Sequence, residues 1–239
     1  NLETYNVRTG LDIKSRKIHD MGDLPIESEA PADAVEVVRK AGEKIVSAGK
    51  FPIMLGGEHS MTPGAVAGFG KKAKELFVLS IDAHIDYRLE YDDEKNHHAC
   101  AMRRCSEIVG AGKVAVLGMR SGCLEEIEDA KRDGLFCRTS YWIKENGMER
   151  AIGDALKRAG KRKIYLTLDI DGIDPAYAPG TGTPEAFGLQ DYDVLKVIDA
   201  VAPRLAGFDI MEVCPPYDNG NTSMLAAKIV REVITKAKC

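Results

Sequence analysis

Asp82, His84 and Asp86 stand at alternate positions in Asp82-Ala-His-Ile-Asp86, directly behind the apolar run 77–81. In an extended chain, residues two apart point to the same side, so two carboxylates and an imidazole face one spot where a buried strand ends. Carboxylates crowded there repel one another and resist desolvation, and a divalent cation relieves both problems. An exposed acidic loop is the alternative, but an apolar strand leads straight into this cluster. Asp169 and Asp171 repeat the alternation behind a second apolar run, 164–168, in Leu168-Asp-Ile-Asp-Gly-Ile-Asp-Pro175. His59 lies in the turn Gly56-Gly-Glu-His-Ser60 behind a third run, 51–55. Alone it reads as a packing or helix-start residue; beside the other two clusters it reads as a ligand. Four carboxylates and two imidazoles are too many for one open catalytic metal and suit two ions sharing bridging carboxylates. Oxygen donors with some imidazole favour Mn²⁺-like ions over a metal selected by thiolate. Glu212, in Phe208-Asp-Ile-Met-Glu-Val-Cys-Pro-Pro216, ends a further strand. It either faces the same edge or is a surface, salt-bridged glutamate.

The elements that would position these groups follow from periodicity. Strands are predicted over 17–21, 51–55, 76–81, 113–117, 135–138, 164–168 and 207–210. Ser28 with Pro31 opens a helix whose apolar positions Ala34, Val38, Ala41, Ile45 and Ala48 recur at three- and four-residue spacing, and Gly49 stops it. Further helices are predicted from the turn at 56–60 to Gly70 and over 98–109, 124–132, 148–160, 190–200 and 222–236. Residues 87–97 read as a polar loop. Strands alternating with helices imply βαβ units and a mostly parallel sheet, with ligands at the edge where the strands end. No linker composition or repeat divides residues 1–239, which read as a single domain.

The formal net charge of −4 gives no electrostatic case for nucleic acid. No apolar span is long enough for a membrane and no signal peptide is visible. Six cysteines without a CxxC pair read as free thiols in a reducing cytoplasm. The sequence begins Asn-Leu-Glu rather than with Met, from which a missing leading piece is expected.

The Gly-Gly-Glu-His-Ser, Asp-Ala-His-Ile-Asp and Asp-Ile-Asp-Gly-Ile-Asp-Pro stretches, with Pro179-Gly-Thr-Gly-Thr-Pro184 and the Glu212 segment, resemble the ureohydrolase (arginase/agmatinase) family. Order and separation match over essentially the whole chain. The resemblance implies a three-layer α/β/α fold with an eight-stranded parallel sheet, two Mn²⁺ ions, and hydrolysis of a guanidino group to urea plus an amine. It implies that one ion takes His59, Asp82, Asp86 and Asp169 and the other Asp82, His84, Asp169 and Asp171. By the same resemblance, His98 is the proton-handling histidine of the following loop and Thr183 lies near the guanidinium. Glu212 would bind the guanidinium, and Asp86 would relay a proton. Two departures stand out: Ala99 follows His98 where many relatives have Gly, and the family's opening strand is absent, leaving seven strand candidates rather than eight.

The acidic stretch Glu90-Tyr-Asp-Asp-Glu94 would repel a substrate carboxylate and tolerate a free amine, favouring agmatine over arginine; a solvated acidic loop without a role is the alternative. Asp86-Tyr-Arg-Leu-Glu-Tyr91 and His98-Ala-Cys-Ala-Met-Arg-Arg104 resemble agmatinases more than arginases. The expectation is therefore a cytoplasmic agmatinase releasing putrescine, assembled as a homo-oligomer, trimer or hexamer. The competing readings are another amidinohydrolase (arginase, guanidinobutyrase, formiminoglutamase), a metal-dependent phosphohydrolase, which would show basic residues near the ions, and an inactive binding or regulatory paralogue.

Overall fold

In the computed structural model, which describes residues 2–26 and 29–237, six parallel strands carry the residues of interest to one edge. They are β3 (Ile53–Leu55), β4 (Leu76–Ile81), β5 (Val114–Met119), β6 (Phe136–Thr139), β7 (Lys163–Asp169) and β8 (Leu205–Met211), in the order β3-β8-β7-β4-β5-β6. The chain runs outward from β4 through β5 to β6, then returns to β7 on the other side of β4. The direction of winding therefore reverses between β4 and β7, where an open α/β sheet forms its ligand crevice. β4 is buried along its whole length and β7 along all but Lys163, which explains their continuous apolar runs.

Helices cover both faces. On one side lie α1 (Pro31–Ser47), α2 (Thr62–Ala67), α3 (Ala101–Val109) and α4 (Leu124–Asp133), packed on Val78, Val114, Val116 and Tyr165. On the other lie α5 (Ser140–Asn146), α6 (Met148–Ala159), α7 (Asp191–Val201) and α8 (Asn221–Lys236), packed on Phe77, Leu79, Ile81 and Leu166. This is the expected three-layer arrangement. The sheet has six strands among the described residues.

Near the start, β1 (Tyr5–Asn6) and β2 (Leu11–Asp12) form a small antiparallel hairpin outside the main sheet. It is stapled to the C-terminal helices: the buried Asn6 amide donates to Glu232 Oε1 (2.8 Å) and Thr235 Oγ1 (3.1 Å), and Arg8 donates to Asp199 and Glu232.

The strand predicted over 17–21 does not form. Those residues are all exposed, with no sheet edge alongside to pair with, so their β propensity goes unused. Helix α1 starts at Pro31, behind the extended Ala30, where a missing N–H costs nothing; Ser28 lies outside the described residues, as does Cys239. Gly49, at φ 69°, follows its last turn as expected. Helix α5 was not predicted: it is a short segment capped by Thr139, whose hydroxyl accepts from Trp142 N (3.1 Å). No helix among the described residues is long and apolar enough to cross a membrane.

Candidate metal centre

Strand register sets the geometry. Ile81 pairs with Leu168, so Asp82 and Asp169 leave the sheet side by side at its centre. His59 reaches in from the 3₁₀ turn His59–Met61 behind β3, and Asp171 from the 3₁₀ turn Ile170–Gly172 behind β7. Asp86 arrives from the loop behind β4. Its left-handed backbone (φ 49°) is held by the N–H groups of Met102 (3.0 Å) and Arg103 (3.1 Å), which donate to the Asp86 carbonyl. Such a conformation in a non-glycine residue stores strain that the surroundings must hold in place.

His59 Nδ1 lies 3.2 Å from Asp82 Oδ2, 3.1 Å from Asp86 Oδ2 and 3.1 Å from Asp169 Oδ2. Yet this nitrogen and Asp82 Oδ2 are buried without a hydrogen-bond partner. An orphaned buried polar atom costs about 1–3 kcal/mol, and a cation among these four atoms would give each lone pair a partner. A second group adjoins: His84 Nδ1 is 3.1 Å from Asp171 Oδ2 and 3.7 Å from Asp82 Oδ1. Within each group, His59/Asp82/Asp86/Asp169 and Asp82/His84/Asp171, the candidate ligand atoms lie within 4.8 Å of one another. The residues fit two adjacent cations with Asp82 common to both. The Oδ2 of Asp169 lies in the first group, and its Oδ1, turned toward the second, accepts the Asp171 N–H (3.0 Å).

Crowded like charges leave an electrostatic signature. Burial, reinforced by Asp86, pushes the Asp82 carboxyl up to about 8. Burial together with Asp171 and Asp82 holds Asp169 well above the carboxylate range. Burial works against charge on the two histidines, but the neighbouring carboxylates overcome it: His84 rises to about 9 and His59 well above imidazole's ordinary value. Asp171 alone falls, its own burial outweighed by His84. Without a cation, protons neutralise the cluster.

Glu212 faces this edge rather than open solvent. Its backbone is left-handed (φ 62°), its N–H donates to Gly57 O (3.0 Å), and its Oε1 accepts the His59 N–H (2.7 Å). Burial raises its carboxyl above the usual range. Thr183 Oγ1 donates to Asp171 Oδ2 (2.9 Å). His98 stands half-exposed at the rim, its Nδ1 3.6 Å from Glu58 Oε1, and Glu58 raises its pKa. Rings stack outward from it: His98 on His97 at 4.0 Å between centroids, and His97 on Tyr91 at 4.6 Å. Tyr91 and Glu94 bond each other's backbone around Asp92 and Asp93, both at positive φ, the signature of a two-residue hairpin turn. The acidic stretch is thus a built turn whose aromatic residue leans towards His98.

A family model described as the arginase family matches residues 1–235. The chain belongs to the arginase family. It is 32% identical to an agmatinase of Bacillus subtilis over 98% of this chain and 80% of that protein. It is 34% identical to a human mitochondrial guanidino acid hydrolase, over 98% of this chain and 68% of that protein. Among solved structures, the agmatine ureohydrolase of Thermoplasma volcanium superposes with a TM-score of 0.92 at 42% identity, covering 99% of this chain and 78% of that one.

The structure places His59, Asp82, His84, Asp86, Asp169, Asp171, Thr183 and Glu212 together at this edge and His98 at its rim; sequence reasoning missed the residues that support them. Arg120 directs its guanidinium onto main-chain carbonyls of Asp171 (2.7 Å), Gly172 (3.2 Å) and Glu185 (2.8 Å), tying the arginase-family Asp-Ile-Asp-Gly turn to the loop that carries Thr183. Thr167 and Asp209 stand in register on β7 and β8, fully buried beneath the carboxylates. Their visible signal was polarity inside apolar strands. Arg103 and Arg104 make ion pairs away from the centre, with Asp129 (2.9 Å) and Glu107 (2.7 Å). Tyr141 is exposed beside Phe187.

Proposed function

We propose that this chain, a single ureohydrolase domain over 1–239, hydrolyses a guanidino compound to urea and an amine with two Mn²⁺ ions, agmatine being the preferred substrate and putrescine the product. The observation that carries this is the meeting of His59 Nδ1 with three carboxylate oxygens at 3.1–3.2 Å, beside a second such group. His59, Asp82, Asp86 and Asp169 would hold one ion, and Asp82, His84, Asp169 and Asp171 the other; oxygen donors with imidazole suit manganese. Bound there, such a pair lowers the pKa of water, making a nucleophile available near neutral pH.

The chain's own residues do the rest. Glu212, one oxygen already fixed by His59 N–H, accepts guanidinium N–H groups in plane through the other, a charge-assisted contact that orients the electrophilic carbon. Thr183 stands beside Asp171 to hold the same end. As the C–O bond forms, the attacking water's proton passes to Asp86. As the C–N bond to the alkyl chain breaks, the amine nitrogen takes a proton from His98, whose charged form Glu58 favours.

Substrate choice rests on the surface next to the His59 turn. A cleft of about 270 Å³ there is lined by Glu29, Glu58, Glu94 and His97 with Ile26, Pro31 and Ala34 and, among the described residues, by no lysine or arginine. Its negative charge accommodates a distal ammonium and repels a carboxylate. The free thiols among the described residues agree with a cytoplasmic location, and a trimeric or hexameric homo-oligomer completes the proposal. Urea release from agmatine, arginine and 4-guanidinobutyrate is the test. Agmatine is expected to lead by at least about tenfold in kcat/KM, the worth of roughly 1.4 kcal/mol; a lead for either guanidino acid would overturn the assignment.

Cation binding should also release protons. Near pH 7, Asp82 and His84, at about 8 and 9, still hold protons that must leave as their lone pairs turn to the ions. Affinity for Mn²⁺ is therefore expected to rise with pH up to about 8–9. Calorimetric titration in buffers of different ionisation enthalpy reads the released protons directly; equal heats in all of them would contradict this.

A further inference from the structure

Beneath His59 and the carboxylates lie Thr62, Thr167 and Asp209, which have no role in the reaction as described; all three, like His59, are 0% exposed. His59 Nε2 is 2.9 Å from Thr167 Oγ1; Thr167 Oγ1 is 3.4 Å from Thr62 Oγ1; Thr62 Oγ1 donates to Asp209 Oδ2 (3.0 Å). Tyr165 OH donates to that same oxygen (2.7 Å).

We infer that Asp209 is a positioning residue which, through Thr62 and Thr167, fixes the tautomer and orientation of His59, and so the affinity of the cation held by His59. This rests on the two-cation reading above. Direction is what the chain of hydrogen bonds supplies. Asp209 Oδ2 only accepts, so Thr62 must give its single hydroxyl proton there. The Thr62 oxygen then has only lone pairs for Thr167, so the Thr167 proton goes to Thr62 (3.4 Å) or to its strand partner Asp209, away from His59 in either case. The Thr167 oxygen in turn can only accept from His59, and the proton of the imidazole is held on Nε2. When an arriving cation displaces the proton that the carboxylates hold at Nδ1, the proton on Nε2 stays and the Nδ1 lone pair is aimed among Asp82, Asp86 and Asp169, the form a metal ligand needs. Strand register makes the path possible, since Thr167 is the partner of Asp209 on the neighbouring strand and precedes Asp169 by two residues on the same face. His84 has no such path: its Nε2 faces the half-exposed Glu185 at 3.9 Å. The two histidines are thus oriented by different means, and the two cations should respond differently.

The test is Mn²⁺ titration of the intact, cation-stripped chain, following free Mn²⁺ by its electron paramagnetic resonance signal. Thr167→Val is expected to weaken one of the two binding events by about 10–100-fold, the usual effect of losing an outer-shell partner, and to leave the other unchanged. Thr62→Val, which touches no ligand, should weaken the same event, and Thr167→Ser should restore it. A lesion of packing alone would weaken both events alike. The inference fails if Thr167→Val binds both ions as the parent does, or loses both equally. If Thr167→Val does not fold, Thr62→Val decides by the same criterion. A parent chain that takes up no Mn²⁺ overturns the two-cation reading and this inference together.

Discussion

Asp169→Asn is expected to abolish urea release, by at least about 10³-fold, while leaving the chain folded. Removing a single preorganised electrostatic group from an active site costs about 10²–10³ in turnover, and here the group also belongs to a cation's ligand set. Its Oδ2 faces His59 Nδ1 at 3.1 Å, and its Oδ1 accepts the Asp171 N–H. The amide keeps the size but removes the charge on which an ion depends. Stability should move the other way. Burial and the neighbouring carboxylates hold the Asp169 pKa well above its ordinary value, so an ionised Asp169 opposes folding without a cation, and its neutral replacement removes that repulsion. Cation-stripped Asp169→Asn is therefore expected to melt no lower than the parent and to lose the rise in melting temperature that Mn²⁺ gives the parent. A variant that keeps both urea release and the Mn²⁺-dependent rise would remove Asp169 from the centre.

Gly172→Ala should do comparable damage without touching a ligand. A Cβ at Gly172 would meet Asp82 N at 2.7 Å and Asp82 Cα and Ile81 C at 3.0 Å. All three are backbone atoms, so no side chain can swing away. The turn behind β7 must then part from the end of β4, separating Asp171 from Asp82. Overpacking of this kind costs about 1–3 kcal/mol, and a displacement near 1 Å at a reactive centre costs about 10²-fold in rate. Activity is expected to fall by about that factor at temperatures where circular dichroism still shows a folded chain. Full activity in a folded Gly172→Ala would show that the close approach of β4 and this turn does not set the site.

The centre was legible because its acidic and imidazole residues directly follow buried apolar strands. The extended alternation expected of them is not what places them: β4 ends at Ile81 and β7 at Asp169, Asp86 sits at a left-handed loop position and Asp171 in a 3₁₀ turn, yet the strand ends still deliver them to one edge. His59 needed the company of the others to be read as a ligand, and Glu212 needed the fold to be taken off the surface. Asp209 showed only its polarity within an apolar strand, not its place beneath the centre. A polar residue within a strand can face either layer of helices, and only the pairing of Thr167 with Asp209 shows which. Arg120 was hidden for another reason: its partners are backbone carbonyls from two distant segments, which leave no trace in side-chain pattern. The failed strand at 17–21 and the missed helix α5 are errors of the opposite kind, where local propensity was decided by the presence or absence of a neighbour.

Adding Mn²⁺ back to the cation-stripped chain in the presence of agmatine, and following urea, tests the central claim directly. Urea release should climb until two equivalents per chain are bound and then level off. No urea at any level of Mn²⁺, or a full rate after a single equivalent, would contradict a site built for two ions.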